Sequence, residues 1–223
     1  MSATFIIGPI ANTTKKQRIA EGIRKAILSG KLGPGDRIIE TQLAKELGVG
    51  NTAVREALFE LESKGFVRRI ANKGTFVTQL TVDDVVQIFR ARVEMEGLAA
   101  ELLAERVSAQ DVDLLQKCID QMGRAADHND LEGFCHFDIE FHTTIWHRSG
   151  NRFLAAGLEN MVLPLFAFFN MTCPSGSRDS LRKSVQQHAQ VVQAFRDGQD
   201  VRKQMEAAIQ HFRREKLELL FKA

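Results

Sequence analysis

Apolar residues recur along this chain almost everywhere at helical spacing. Ile19, Ile23, Ala26 and Ile27 form one stripe that stops at Ser29-Gly30. "KLGPGDRI" then reads as a turn, because Pro34 and Gly35 are strong punctuation. Thr41 is the expected cap of a second, short helix, "QLAKEL", closed by Gly48. Val54, Ala57, Leu58 and Leu61 then repeat at i, i+3, i+4 and i+7, giving a third helix with one apolar face. Asn51, Thr52, Arg55 and Glu56 lie on its other face, near the N-terminal end, and Gly65 closes it. The period changes at "FVRRIA" and "GTFVTQ", two strand-like runs joined at Asn72-Lys73-Gly74, which predict a β-hairpin.

From Thr81 the helical pattern returns and persists. A Thr81/Asp83 cap opens "DDVVQIFRARVEMEGLAAELLAERVS", read as one long or one broken helix. Further helical stretches follow, punctuated by Gly150-Asn151, by residues 174–176 and by Asp197-Gly198-Gln199. Six or seven antiparallel helices with short connections predict a bundle, and Pro164 should kink or break its helix. The expected fold is therefore mainly α: a winged helix-turn-helix with a small hairpin over residues 14–79, then an all-α bundle over 80–223. Residues 1–13 read as a flexible arm.

Charge sharpens this division. Through residue 80 there are 13 Lys and Arg against 7 Asp and Glu; beyond it, 17 against 21. A basic module on an acidic body implies that the first part meets a polyanion. In a winged helix-turn-helix the third helix enters the major groove of double-stranded DNA. Arg55 can reach a phosphate or guanine there, Thr52 can donate to a phosphate, and Lys73 at the hairpin tip can follow the backbone. Cys118, Cys135 and Cys173 are widely spaced without a CxxC pair, so they read as small buried hydrophobes rather than a disulfide framework or a cysteine-rich zinc site. With no signal-like N-terminus and no apolar run approaching a bilayer's ~20 residues, a cytoplasmic protein without a membrane partner is expected.

"GKLGPGDRI", "LAKELGV", "TAVREAL.EL...G" and the wing glycine Gly74 resemble, in order and spacing, the DNA-binding domain of the GntR family of bacterial transcription regulators. The resemblance implies a homodimer on a pseudo-palindromic operator, with Thr41, Asn51, Thr52, Arg55, Lys73 and Gly74 as the DNA-binding set. Gly50-Asn51 stands where family members commonly carry Ser-Arg. That removes a capping serine, leaves Asn51 to cap one residue late, and exchanges a guanine-favouring side chain for one that pairs with adenine.

Within the bundle, Asp138 and His142 are four apart on one helix face, His188 lies among Leu181, Val185, Val192 and Phe195, and His211 stands beside Ala207 and Ala208. One carboxylate and three imidazoles could converge on a divalent metal ion, zinc first, with nickel, manganese or iron also suited. Hydrogen bonding to neighbours is the competing account of the same spacing. "RVEMEGLAAELLAE", "FDIEFHTTIWHRSGN" and "HAQVVQAFRDGQD" resemble the FCD ligand-binding domain of the FadR-type branch, nearest its vanillate-regulator subgroup. That resemblance implies Asp138, His142, His188 and His211 as metal ligands, and Arg92 as the partner of a small carboxylate effector. A plain i, i+4 ion pair of Arg92 with Glu96 is the alternative. Asn170 is a further candidate for the pocket wall. The expected function is a transcription regulator, most often a repressor in this family; a metal-dependent hydrolase with an accessory DNA-binding domain is the rival.

Overall fold

The computed structural model describes residues 15–172 and 177–220. The expected arm and Cys173 lie outside the described residues. The elements run α1 (Lys15–Leu28), β1 (Arg37–Ile38), α2 (Glu40–Leu47), α3 (Asn51–Ser63), β2 (Val67–Ile70) and β3 (Gly74–Val77). They continue as α4 (Val82–Ala104), α5 (Ala109–Asp127), α6 (Leu131–Arg148), α7 (Arg152–Thr172), α8 (Arg178–Asp197) and α9 (Val201–Leu220). This is the expected winged helix-turn-helix followed by a helical bundle, six helices among the described residues.

In the first part, Ile19, Ile23 and Ile27 of α1 pack on Val54, Ala57, Leu58 and Leu61 of α3, all buried. The wing has three strands rather than two, in the order β1-β3-β2, all antiparallel. Strand β1 escaped the sequence reading because two residues carry no alternation. Backbone bonds from Val77 N to Asp36 O (2.8 Å) and from Gly35 N to Val77 O (3.1 Å) place it. The hairpin turn is Ala71-Asn72-Lys73, with Asn72 at φ 61°, and Gly74 begins β3 instead of lying within the connection.

Three expected caps are corrected. Helix α2 starts at Glu40, behind an extended Ile39 that supplies no side-chain cap, so Thr41 sits exposed in the first turn. Strand β1 carries extended backbone up to Ile39, which fixes the helix start one residue before Thr41. Helix α3 has Gly50 at its N-cap and no capping side chain; Asn51 is its first helical residue and does not cap it late. In the bundle, the α4 capping box pairs Thr81 with Asp84, not Asp83, and the helix runs unbroken to Ala104.

Helix α7 is the spine of the bundle. Pro164 lies inside it without ending it. Its stretch Arg152–Asn170 has mean hydropathy 1.4 and the length of a bilayer crossing, contrary to the sequence expectation. The physical reason is burial: residues 162–169 are all enclosed among neighbouring helices. The basic module docks on this helix. A Cβ added at Gly65 would sit 3.2 Å from both the Asn160 carbonyl oxygen and Pro164 Cγ. Asn160 is four residues before Pro164, so its carbonyl loses its helical donor to the proline ring. The glycine backbone approaches that interrupted turn closely.

Gly65→Ala should therefore lose more stability than Gly48→Ala. Both glycines have left-handed φ (73° and 63°), but Gly48 has nothing within 4 Å of an added Cβ. Each forced φ costs about 1–2 kcal/mol, and Gly65→Ala adds overlap with α7. Urea unfolding that showed equal losses would contradict this docking.

Candidate functional sites: a basic reading face and a buried histidine–carboxylate cluster

Asn51, Thr52 and Arg55 are exposed on α3, and Lys73 is exposed at the wing tip. The Arg55 side chain keeps 58% of its surface, while its Nε donates to Glu40 Oε2 at 3.1 Å. Its partner is the first residue of α2. That bond holds the guanidinium across the helix-turn-helix without burying it. Thr41 lies on the same short helix, exposed. Gly74, at φ 110°, leaves room for the Arg37 guanidinium, which would lie 3.3 Å from an added Cβ.

The sequence reading missed two basic groups here. Arg37, Phe76 and Arg68 are directly opposed across β1, β3 and β2, so they share one sheet face, and both arginines are exposed. The signal was present for Arg68, which alternates with buried Val67, but absent for Arg37 until β1 is known.

The second site lies inside the bundle. Helix α6 presents Asp138 and His142 one turn apart, and α8 presents His188 toward them, all three buried. His188 Nε2 is 3.0 Å from Asp138 Oδ1 and 3.3 Å from His142 Nε2, and His142 Nε2 is 4.0 Å from Asp138 Oδ1. The proton positions follow from the other ring nitrogens. His188 Nδ1 lies 2.7 Å from the Ser184 carbonyl and must donate to it. His142 Nδ1 lies 2.6 Å from Glu96 Oε2 and donates to that carboxylate. In neutral rings neither Nε2 then carries a proton, and the two Nε2 atoms and Asp138 Oδ1 lie within 4.0 Å of one another, an arrangement suited to a cation held by one oxygen and two nitrogens.

Glu96 was not foreseen as part of this site. It is completely buried and accepts from Arg92 Nε, from His142 Nδ1 and from Trp146 Nε1 at 3.1 Å. Burial pushes its carboxyl upward, but the Arg92 charge and then His142 outweigh this and bring it to about 2. Asp138 is likewise raised by burial and lowered further by the His188 hydrogen bond and the charges of His188, His142 and Arg92, ending below its ordinary value. Two buried carboxylates against one guanidinium leave a net negative charge in a dry interior, which favours a bound cation.

Of its two sequence-based accounts, Arg92 shows the ion pair with Glu96. It is the i, i+4 partner of Glu96, yet it is fully buried, and its Nη2 lies 3.3 Å from His142 Nε2. Its Nη1 is buried with no hydrogen-bond partner. The cluster, with Phe166, Ala208, Ile209 and Phe212, encloses a cavity of about 10 Å³, room for one water-sized or ionic occupant. A much larger cleft of about 730 Å³ between α1, β1 and α2 is open and contains no histidine.

Two expected site residues lie elsewhere. His211 is outside the convergent group of Asp138, His142 and His188. Its Nε2 is buried without a hydrogen-bond partner, 3.6 Å from Glu215. Ala208, Ile209 and Phe212 face the cavity instead, which leaves His211 roughly 60° around the helix from Ala208. Asn170 does not line the cavity. It accepts from Cys135 Sγ at 2.9 Å and donates to the Leu28 carbonyl at 3.4 Å, bridging α6 to the end of α1. Its place near the end of α7, against the basic module, removes it from the pocket. Cys118 is buried as expected, whereas Cys135 is partly buried and hydrogen-bonded.

A winged helix-turn-helix with an exposed basic face, seated on a helical bundle with a buried polar centre, defines a DNA-binding regulator. The family model "Bacterial regulatory proteins, gntR family" matches residues 15–77 and that of the FCD domain matches 87–214. The chain is 31% identical over 193 residues to the HTH-type transcriptional regulator YdhC of Bacillus subtilis (strain 168), covering 85% of this chain and 82% of that protein. It is 30% identical over 152 residues to the gluconate operon transcriptional repressor of Bacillus licheniformis, covering 68% of this chain and 62% of that one. The fold resembles E. coli McbR/YncC, with a TM-score of 0.77 and 22% identity over 94% of this chain and 98% of that one. The chain belongs to the GntR family of bacterial transcription regulators, in its FCD-containing branch. It is a regulator and not an enzyme, and the hydrolase alternative falls. Glu140, exposed on α6, offers that alternative no general base at the cluster.

The Glu96 environment sets a pH dependence in metal-free protein. A carboxyl lowered from 4.5 to about 2 stabilises the fold fully above its unfolded value and loses that contribution as pH falls. Glu96→Gln should remove about 3 kcal/mol of the stability change across this window. Parallel unfolding curves of the two proteins from mildly acidic pH downward would show the assignment to be wrong.

Proposed function

We propose that this chain is a cytoplasmic, homodimeric repressor whose operator affinity is set by a small organic acid bound beside a divalent cation. Asp138, His142 and His188 would hold the ion, zinc best by donor type, with nickel, manganese or iron compatible. One observation carries the reading: Asp138, His142, His188 and Arg92, whose buried Nη1 has no hydrogen-bond partner, all line one cavity. The ion supplies Lewis-acid attraction for a carboxylate. A cation this near a guanidinium repels it, and an effector carboxylate between them would satisfy both. His211, close by on α9, would complete the ligand set after a modest rotation of that helix.

A response needs differential affinity for two arrangements of the molecule. The cavity is too small for an organic acid unless α9 yields, so entry and rearrangement are coupled. Helix α6 would carry the change outward, because Cys135, one turn before Asp138, is bonded to Asn170, which reaches α1. At the other end, Thr52, Arg55, Lys73 and Gly74 would meet the operator, and Asn51 would shift base preference toward adenine.

Binding to a duplex selected from a random pool tests both ends. Arg55→Ala should weaken it by about tenfold and lower the salt slope by about one. His188→Ala should lose stoichiometric zinc by elemental analysis, and with it the response to organic acids, while still binding DNA. Retention of zinc, or an unchanged response, would sink the site assignment.

Asn170→Ala should keep its zinc and bind organic acid normally, yet show a smaller acid-induced change in operator affinity. A full response in this variant would remove Asn170 from the route between the sites.

A further inference from the structure

The open cleft of the basic module has no role in either site described above. It holds about 730 Å³ between α1, β1 and α2. Its walls are largely apolar, with Ile19 and Ile23 on α1, Ile38 and Ile39 at the end of β1, and Leu43 and Leu47 on α2. Ile39 and Leu47 keep 49% and 48% of their surface, so an apolar pair faces solvent on one side of the space. The rim carries Lys15, Arg18 and Arg37 against Glu46, which disfavours a basic occupant.

Helix α2 is short of packing. Ala44 is its only buried residue, although so short a helix draws its stability from tertiary contacts. Across the cleft, Gly22 leaves the backbone of α1 bare. A Cβ added there would meet nothing within 4 Å. The two helices thus face one another over a space that their own side chains leave open.

The chain carries an apolar segment next to that space. "FIIGPI", Phe5 to Ile10, brings four large apolar side chains and no charge, and Gly8-Pro9 favours an extended backbone. Lys15, where the described residues begin, itself lines the cleft, so the tether is residues 11–14 alone. The cleft follows α1 from Lys15 to Ala26, about 17 Å at helical rise. Six extended residues reach about 20 Å. A segment tethered this closely competes at roughly millimolar effective concentration against any partner from outside.

We propose that residues 5–10 of the same chain occupy this cleft, running antiparallel to α1. Phe5, Ile6, Ile7 and Ile10 then cover Ile39, Leu43 and Leu47 and the bare backbone at Gly22. The segment gives α2 a second packing partner besides α3. Because Glu40 of α2 holds Arg55, filling the cleft steadies the reading face.

Chymotrypsin reports on the segment directly, since it cuts after Phe5. Full-length protein would be digested briefly and the loss of residues 1–5 followed by mass spectrometry, with a synthetic peptide of residues 1–14 as the unprotected reference. Cleavage tracks the open fraction of a docked segment, so the protein should be cut about tenfold more slowly than the peptide. Gly22→Leu fills the cleft from one wall and Leu47→Lys charges the other. Each should bring cleavage to within about twofold of the peptide rate, with the helical circular dichroism retained. Cleavage of the unaltered protein at the peptide rate would overturn the proposal and leave the cleft to an acidic, apolar partner from outside. Protection that survives both substitutions would place the segment elsewhere and defeat it equally. Protection that vanishes on dilution would assign the cleft to a second copy of the chain, against the proposal.

Discussion

The interior of the bundle depends on a fully buried ion pair, Arg92 with Glu96, extended through His142 to Asp138 and His188. Removing one member of such a chain typically costs about 3–5 kcal/mol, because a charge is left without its partner in a medium that cannot solvate it. An apolar replacement of the whole set would be cheaper for stability alone. The set makes sense as chemistry: Glu96 orients His142 and fixes its proton, Ser184 does the same for His188, and the nitrogens that remain are left to face one another. Trp146 Nε1 donates to the same Glu96 oxygen as His142, while Arg92 holds the other oxygen.

Much of this was legible in the sequence, for identifiable reasons. Long amphipathic stripes gave the helices, because burial of one face leaves a period that survives without knowledge of the partner. Asp138 and His142 were readable because both stand on one helix and helical spacing is rigid. Glu96 was passed over as the ordinary partner of Arg92, since nothing in the local sequence tells a buried pair from an exposed one. His211 was expected to converge with the other two imidazoles, but its position depends on the rotation of α9, which no local pattern encodes. Asn170 as a pocket wall and Thr41 as a helix cap failed for a related reason: one depends on where two modules meet, the other on a strand too short to announce itself. The Arg37–Phe76–Arg68 row became visible only with the sheet register.

Helix α7 ties the two halves together. Its apolarity would suit a membrane, yet it is used here as a shared wall, with the cluster's Phe166 on one side and the basic module at its flank. The interrupted turn before Pro164 receives Gly65, and Asn170 receives both Cys135 and the end of α1. Contacts already in place therefore join α6 and α7 to the basic module.

The bare start of α3 has a consequence of its own. Glycine stands at the cap and no side chain closes the first turn; Ala53 N and Val54 N turn to the Gly50 carbonyl, and the amides ahead of them have no capping side chain. A phosphate arriving from a duplex could serve as the missing cap, so this helix would be finished by the nucleic acid it meets. Part of the order of the complex would then be contributed by the nucleic acid, and away from it the first turn of α3 would be the place where this module loosens first.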